Sequence, residues 1–237
     1  MMSSTAASLD RLRPTPSYGL GGTFTITCST RIAASPQACL SVVTNSAGYP
    51  LWNRFCRACT IDYQPPGNSS DTNPAYANHD LTLRLGTHFT FDVYLDPDEP
   101  LNNDDSAGTS SGGDIFSGIT SLAKRDATSL EVSVLEEFDE EVDVEVEGGE
   151  GPGQKVRKRR KGWRIAWRTR GSWARPTWML KSERVQEFAE VGEGETEYVT
   201  WETFYGPLAP VVKALVGVKV ARGFEAWAEG LKGAVEK

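Results

Sequence analysis

The sequence lacks any apolar run of the 18 or more residues that a membrane-spanning helix needs. Met1 to Pro16 has neither an apolar h-region nor a small-residue cleavage site, so secretion is not indicated. The expected compartment is the cytoplasm, where Cys28, Cys39, Cys56 and Cys59 would remain thiols. Asn68-Ser69-Ser70, formally a glycosylation acceptor, then reads as a loop. Histidine is scarce, with only His79 and His88. A zinc site would want a second pair beside Cys56 and Cys59, and a thioredoxin-type motif would open a helix, whereas this pair falls between a short helix and a strand. No metal or cofactor is expected. Gly-x-Ser-x-Gly, His-Glu-x-x-His, Walker and Gly-x-Gly-x-x-Gly patterns are missing, which counts against standard nucleophilic, metalloprotease and nucleotide chemistry. Basic charge is in deficit, 25 Lys and Arg against 32 Asp and Glu for a net of −7, which argues against a nucleic-acid partner.

What is present is a chain of 237 residues, 39% apolar and 24% charged, inside the globular range. A chain of that length buries roughly 70–75% of its unfolded surface, enough for a real core. Residues 1–21 read as a disordered lead and 22–237 as one domain. Thr23 to Cys28 alternates polar and apolar, the period of a half-buried strand. Ser35-Pro36 supplies a cap and a first-turn proline for a short helix, and a second is expected over Tyr49 to Phe55. Strands are expected at Ala58 to Tyr63, over 85–95, where Phe89, Phe91 and Val93 alternate with His88, Asp92 and Tyr94, and at Leu130 to Leu135. Trp163 to Trp167 forms another, and Trp178 to Phe188 and Glu195 to Phe204 pair across Gly192-Glu193-Gly194. Residues 96–127, rich in Asp, Asn, Ser and Gly, read as a disordered insertion. After Gly206-Pro207 apolar residues recur at three- and four-residue spacing from Leu208 to Leu231, a long amphipathic helix in which Gly217 and Gly223 mark close packing or room for a ligand. The sum is an α+β fold: six to seven antiparallel strands with one face covered by the C-terminal helix and a place for a cavity between them.

Three segments carry a resemblance: Ala34-Ser35-Pro36-Gln37 at the first helix, Gly48-Tyr49-Pro50-Leu51-Trp52-Asn53-Arg54-Phe55 at the second, and Glu202-Thr203-Phe204-Tyr205-Gly206-Pro207-Leu208 entering the last. With the element order, they resemble the START/Bet v 1-like superfamily, the SRPBCC or helix-grip proteins, in a style similar to fungal polyketide cyclase-like members. The resemblance covers about residues 22–95, 128–137 and 160–237. It implies a deep apolar cavity used to carry a lipid, sterol, quinone or polyketide-like molecule, or to cyclise and dehydrate one. The fold hosts binders and enzymes alike, so the choice rests on site residues.

Trp52 and Asn53 are candidates for the cavity mouth, an aromatic wall with one amide to orient a polar ligand group, or else a lock between helices and sheet. Glu202 shares a strand face with Tyr198 and Phe204. Two roles are open to it: a bridge to Arg184, or a buried carboxyl whose raised pKa suits acid/base work. His88 and Tyr94 are the other proton handlers, and Tyr94, Trp167, Arg184 and Tyr198 are further lining residues. The expected function is carriage of a hydrophobic small molecule, with a cyclase or dehydratase as the alternative. Between 138 and 161 an acidic run, Glu141 to Glu147, is answered by Lys155 to Lys161. A turn near Gly151 would oppose Glu147 to Lys155, Glu145 to Arg157, Asp143 to Arg159 and Glu141 to Lys161, a self-neutralising hairpin as against a charged loop, and a possible surface for a protein partner.

Overall fold

The computed structural model describes residues 6–9, 12–66, 81–98, 125–146, 154–171 and 176–237, with the backbone alone at 6, 125–126, 143–146 and 154–156. His79, the Asn68 tripeptide, residues 99–124 of the expected insertion and the tip of the charged arm at 147–153 lie outside the described residues.

The strands are β1 (Ala6–Ser8), β2 (Phe24–Ile32), β3 (Cys56–Tyr63), β4 (His88–Tyr94), β5 (Arg125–Val146), β6 (Gln154–Thr169), β7 (Lys181–Gly192) and β8 (Glu195–Tyr205). They form one antiparallel sheet in the order β1-β2-β8-β7-β6-β5-β4-β3. Between β2 and β3 lie α1 (Pro36–Thr44) and α2 (Tyr49–Trp52), and α3 (Ala209–Val235) ends the fold. The helix lies against β1 and β2 at one edge, and Trp227 from its middle meets Phe91 of β4 near the other. One continuous helix reaches both because the sheet bends around it, which is the helix-grip architecture.

Local chemistry accounts for the joints. Ser35 caps α1 by accepting from the Ala38 N–H at 3.3 Å. Asn53 ends α2 early: its Oδ1 accepts from the backbone N–H groups of Phe55 (3.1 Å) and Cys56 (2.8 Å), so β3 begins at Cys56 where a helix to Phe55 had been expected. Gly206 has φ +98, and a Cβ there would come within 2.6 Å of the Met179 carbonyl oxygen, so the turn from β8 into α3 needs glycine. Gly223 marks close packing, since a Cβ would sit 2.2 Å from two carbons of the Phe55 ring.

Among the described residues eight strands stand where six to seven were expected, and the addition is β1, three residues too short to show a period. Its Ala7 N–H donates to Glu225 of α3 at 3.0 Å. The expected lead also contains a segment that crosses the outer face of the sheet. There Arg13 stacks on Trp201 at 4.0 Å, the Trp201 indole donates to the Pro14 carbonyl, and Thr15 meets the Tyr205 hydroxyl at 3.0 Å. Ser17 donates from its N–H and its hydroxyl to fully buried Glu183. These residues are polar in sequence because their partners are polar groups of the sheet. In the charged arm β5 and β6 pair throughout, but with Glu145 opposite Lys155, Asp143 opposite Arg157, Glu141 opposite Arg159 and Asp139 opposite Lys161, two residues from the expected register.

Candidate functional site

Strand parity sets the inner face. Phe24, Ile26 and Cys28 of β2 are buried against α3, and the register carries that face to Phe204, Glu202 and Thr200 of β8, then to Ser182, Arg184 and Gln186 of β7. From β7 it passes to Ile165 and Trp167 of β6, then to Val132 of β5. Helical spacing on α3 brings Phe224, Trp227, Ala228 and Leu231 over it, all fully buried. The apolar part is a set of rings in edge contact: Trp227 lies 5.5 Å from Tyr49, 5.2 Å from Trp52, 6.2 Å from Phe91 and 5.9 Å from Trp167.

The polar part sits beside these rings. Arg184 is 3% exposed, with its guanidinium carbon 4.0 Å from the Phe224 ring centroid and 4.4 Å from that of Trp227. Its Nε–H donates to Thr200 Oγ1 at 3.1 Å, while Nη2 has no partner. The Tyr198 hydroxyl donates to Gln186 Oε1 at 2.6 Å, and its ring stacks on Phe188. Burial pushes the Tyr198 phenol up to about 12, so it stays protonated at neutral pH. Glu202 faces Arg184 across the β7–β8 pair, yet Arg184 makes no ion pair with any described residue. The bridge that sequence reasoning allowed is therefore not formed. Burial raises the Glu202 pKa, opposed by the Ser182 hydroxyl and the Arg184 charge. Glu202 itself is half-buried.

Trp167, Arg184, Tyr198 and Glu202 are thus brought together on one face. Trp52 is half-buried, 5.3 Å from Tyr49, and its backbone oxygen abuts Gly230 of α3, where a Cβ would approach to 2.2 Å. Trp52 and Asn53 therefore lock α2 to the sheet and α3, and each still holds a buried N–H with no acceptor. Tyr94 and His88 fall on the outer face, opposite in parity to Phe89 and Phe91; Tyr94 lies under Arg57 at 4.4 Å and His88 against Tyr63 at 5.0 Å. Neither reaches Glu202. Cys56 and Cys59 are free thiols whose pKa values burial raises, Cys59 to about 12, which suppresses the reactive thiolate.

Sequence reasoning missed Gln186, Phe224 and Trp227. Gln186 shared the period of Arg184, but every residue from Ser182 to Ala189 is buried, so no polar-apolar alternation singles out a face. Trp227 and Ala228 are adjacent apolar residues between which helical spacing does not choose, and both are fully buried.

No family model matches the chain. It is 30% identical over 197 residues to the "Oxopyrrolidines biosynthesis cluster protein O" of Penicillium oxalicum, a match that spans 80% of this chain and 75% of that protein. Among solved structures, a hypothetical protein from Helicobacter pylori superposes with a TM-score of 0.50 at 12% identity, covering 88% of this chain and 86% of the other, a likeness of fold alone. A START superfamily protein from Mycobacterium smegmatis (TM-score 0.46, 15% identity, 90% and 97% covered) and the Zhui aromatase/cyclase from Streptomyces sp. R1128 (0.48, 10%, 90% and 93%) are also similar.

Proposed function

Because the chain belongs to the family of the Penicillium oxalicum biosynthesis cluster protein, within the START/Bet v 1-like superfamily of helix-grip proteins, we propose that it holds a hydrophobic small molecule between its sheet and α3, as a carrier or chaperone of a biosynthetic intermediate. The observation that carries this reading is the unfilled hydrogen-bonding capacity beside an aromatic wall. Trp52, Asn53, Arg184, Gln186 and Trp227 each bury a side-chain nitrogen without a partner. Interiors that serve packing alone pair nearly all such groups, because an unpaired one costs about 1–3 kcal/mol. An occupant that supplies the partners removes that cost. The lining residues of this reading are Trp167, Arg184, Tyr198 and Glu202 with Gln186, Phe224 and Trp227, at work in the cytoplasm, and the charged arm at 138–161 is a surface for a protein partner.

One observation favours a second reading, a cyclase or dehydratase. Glu202 is a half-buried carboxyl with a raised pKa, facing a buried guanidinium, which suits it to move a proton on an enolisable ligand. Native mass spectrometry of protein purified from its own source tests the first reading: a bound small molecule released on denaturation is expected. Purely unliganded protein that also fails to bind polyketide-like or lipid probes would refute it. Glu202→Gln then separates the two. A carrier retains its ligand unchanged, whereas an enzyme binds its substrate and stops converting it.

A further inference from the structure

Among the described residues the five unpartnered buried groups share one polarity, for all are N–H donors. The indoles of Trp52 and Trp227 and the guanidinium of Arg184 can only donate. Asn53 is fixed in the same sense, since its oxygen already accepts two backbone N–H groups. Gln186 is the one amide of the five free to turn over against the Tyr198 hydroxyl, whereas the other four are fixed as donors. They form a connected set. The Arg184 guanidinium lies against the Trp227 ring, the Trp227 and Trp52 rings are 5.2 Å apart, and Asn53 follows Trp52 in the chain.

Arg184 adds a charge. It is enclosed by Phe224, Trp227 and Trp167, whose faces attract a cation but accept no hydrogen bond of ordinary strength. Glu202, opposite on β8, is not in ion-pair contact with it. Water would satisfy a neutral donor here, but it would not neutralise a desolvated guanidinium. One cation with neutral donors around it matches one negative charge, not the two of a phosphate monoester.

We propose that the occupant is an apolar acid whose deprotonated oxygen, a carboxylate or the enolate of an acidic 1,3-dicarbonyl, accepts from Arg184 Nη2 against the Phe224 and Trp227 rings. This rests on the reading of the interior as a small-molecule site. The apolar body of the ligand meets the rings of Trp167, Phe91 and Trp227, and the acid head sets its orientation.

Isothermal titration calorimetry at pH 7.5 tests it with 2-naphthoate, neutral 2-naphthalenemethanol and 2-benzoylcyclohexane-1,3-dione. The wild-type protein is expected to bind one of the two acids at least tenfold more tightly than the alcohol, and whichever acid wins identifies the carboxylate or the enolate. Arg184→Met should abolish that preference, and Arg184→Lys should keep part of it. If Arg184→Met does not fold, the wild-type and Arg184→Lys comparisons decide. Equal binding of acid and alcohol to wild type, or an acid preference that survives in Arg184→Met, overturns the proposal. Binding of the alcohol alone sinks the acid and leaves the small-molecule site standing; binding of no probe overturns the acid, and the small-molecule site falls with it if the native mass spectrum also shows unliganded protein.

Discussion

Replacing Ser17 by alanine tests whether the segment before β2 is part of the folded domain. Glu183 is fully buried on the outer face, and its carboxylate accepts three hydrogen bonds: Ser17 Oγ at 2.7 Å and Ser133 Oγ at 2.6 Å on one oxygen, and the Ser17 N–H at 2.8 Å on the other. The substitution removes one hydroxyl donor and leaves the backbone donor in place, so the ordering entropy of the segment is nearly unchanged. A hydrogen bond to a charged group contributes about 1.5–3 kcal/mol net. A water entering from the solvent side brings the loss toward the lower figure. At about 2–4 °C per kcal/mol for a chain of this size, the melting temperature should fall by about 3–12 °C. Thermal unfolding followed by far-UV circular dichroism measures it. Ser29→Ala on the exposed side of β2 is the control, expected to change stability by no more than about 0.5 kcal/mol. Equal shifts for the two variants would refute the argument, because they would mean that Ser17 is not docked on Glu183 in solution.

Three further substitutions address the interior and the helix that covers it. The folded-state pKa of Glu202 is raised above the ordinary 4.5, so the proton is held more tightly in the folded protein. The stability this confers is complete below about 4.5 and is lost as pH rises through the raised value. Glu202→Gln has no such loss, so its melting temperature relative to wild type should climb between pH 4.5 and 7.5; parallel curves would contradict the assignment. The helix glycines should respond in opposite directions. Gly217→Ala meets nothing closer than 3.7 Å and should stabilise by up to about 1 kcal/mol through helix propensity. Gly223→Ala drives a methyl to 2.2 Å from the Phe55 ring, and overpacking of about 1–3 kcal/mol should outweigh the same gain. Urea denaturation of the pair reads both signs.

Where one face of an element meets core and the other does not, its pattern was visible in the chain. The β4 segment is the clearest case, with Phe89 and Phe91 buried between half-exposed His88, Thr90 and Asp92. The pattern fails where both faces are covered. On β7 the inner face carries Arg184 and Gln186 and the outer face Glu183 and Glu187, all buried, because the Ser17 segment and the Arg160 and Arg164 side chains satisfy the outer carboxylates. Polar residues on both faces of one strand leave no periodic signal, and only the pairing of Arg184 with Glu202 and Trp167 tells which way it points. Tyr94 is a cavity candidate by its chemistry alone, and its parity in β4, opposite to buried Phe89 and Phe91, puts it on the outer face.

The charged arm shows the same distinction between composition and register. Acids and bases repeating with period 2 match equally well after a slip of two residues, since such a slip keeps every side chain on its face. Charge therefore selects hairpin over loop without choosing among registers. The choice is made at the base of the arm. Trp163 is set opposite Glu137 and Ile165 opposite Leu135, and the irregularity between Val132 and Val134 absorbs the odd residue. Phe138, nearly buried, lies beneath Arg164 at 5.0 Å. From there outward the ion pairs follow the twist rather than the ladder: Arg159 reaches diagonally to Asp139 instead of its partner Glu141, and Lys161 crosses to Glu190 of β7 at 2.8 Å. Exposed pairs of this kind are weakened by salt, whereas the apolar contacts that set the register are not. High salt should therefore loosen the pairs beyond Phe138 while leaving the alignment at its base, and with it the Trp167–Arg184 pairing that builds the site, unchanged.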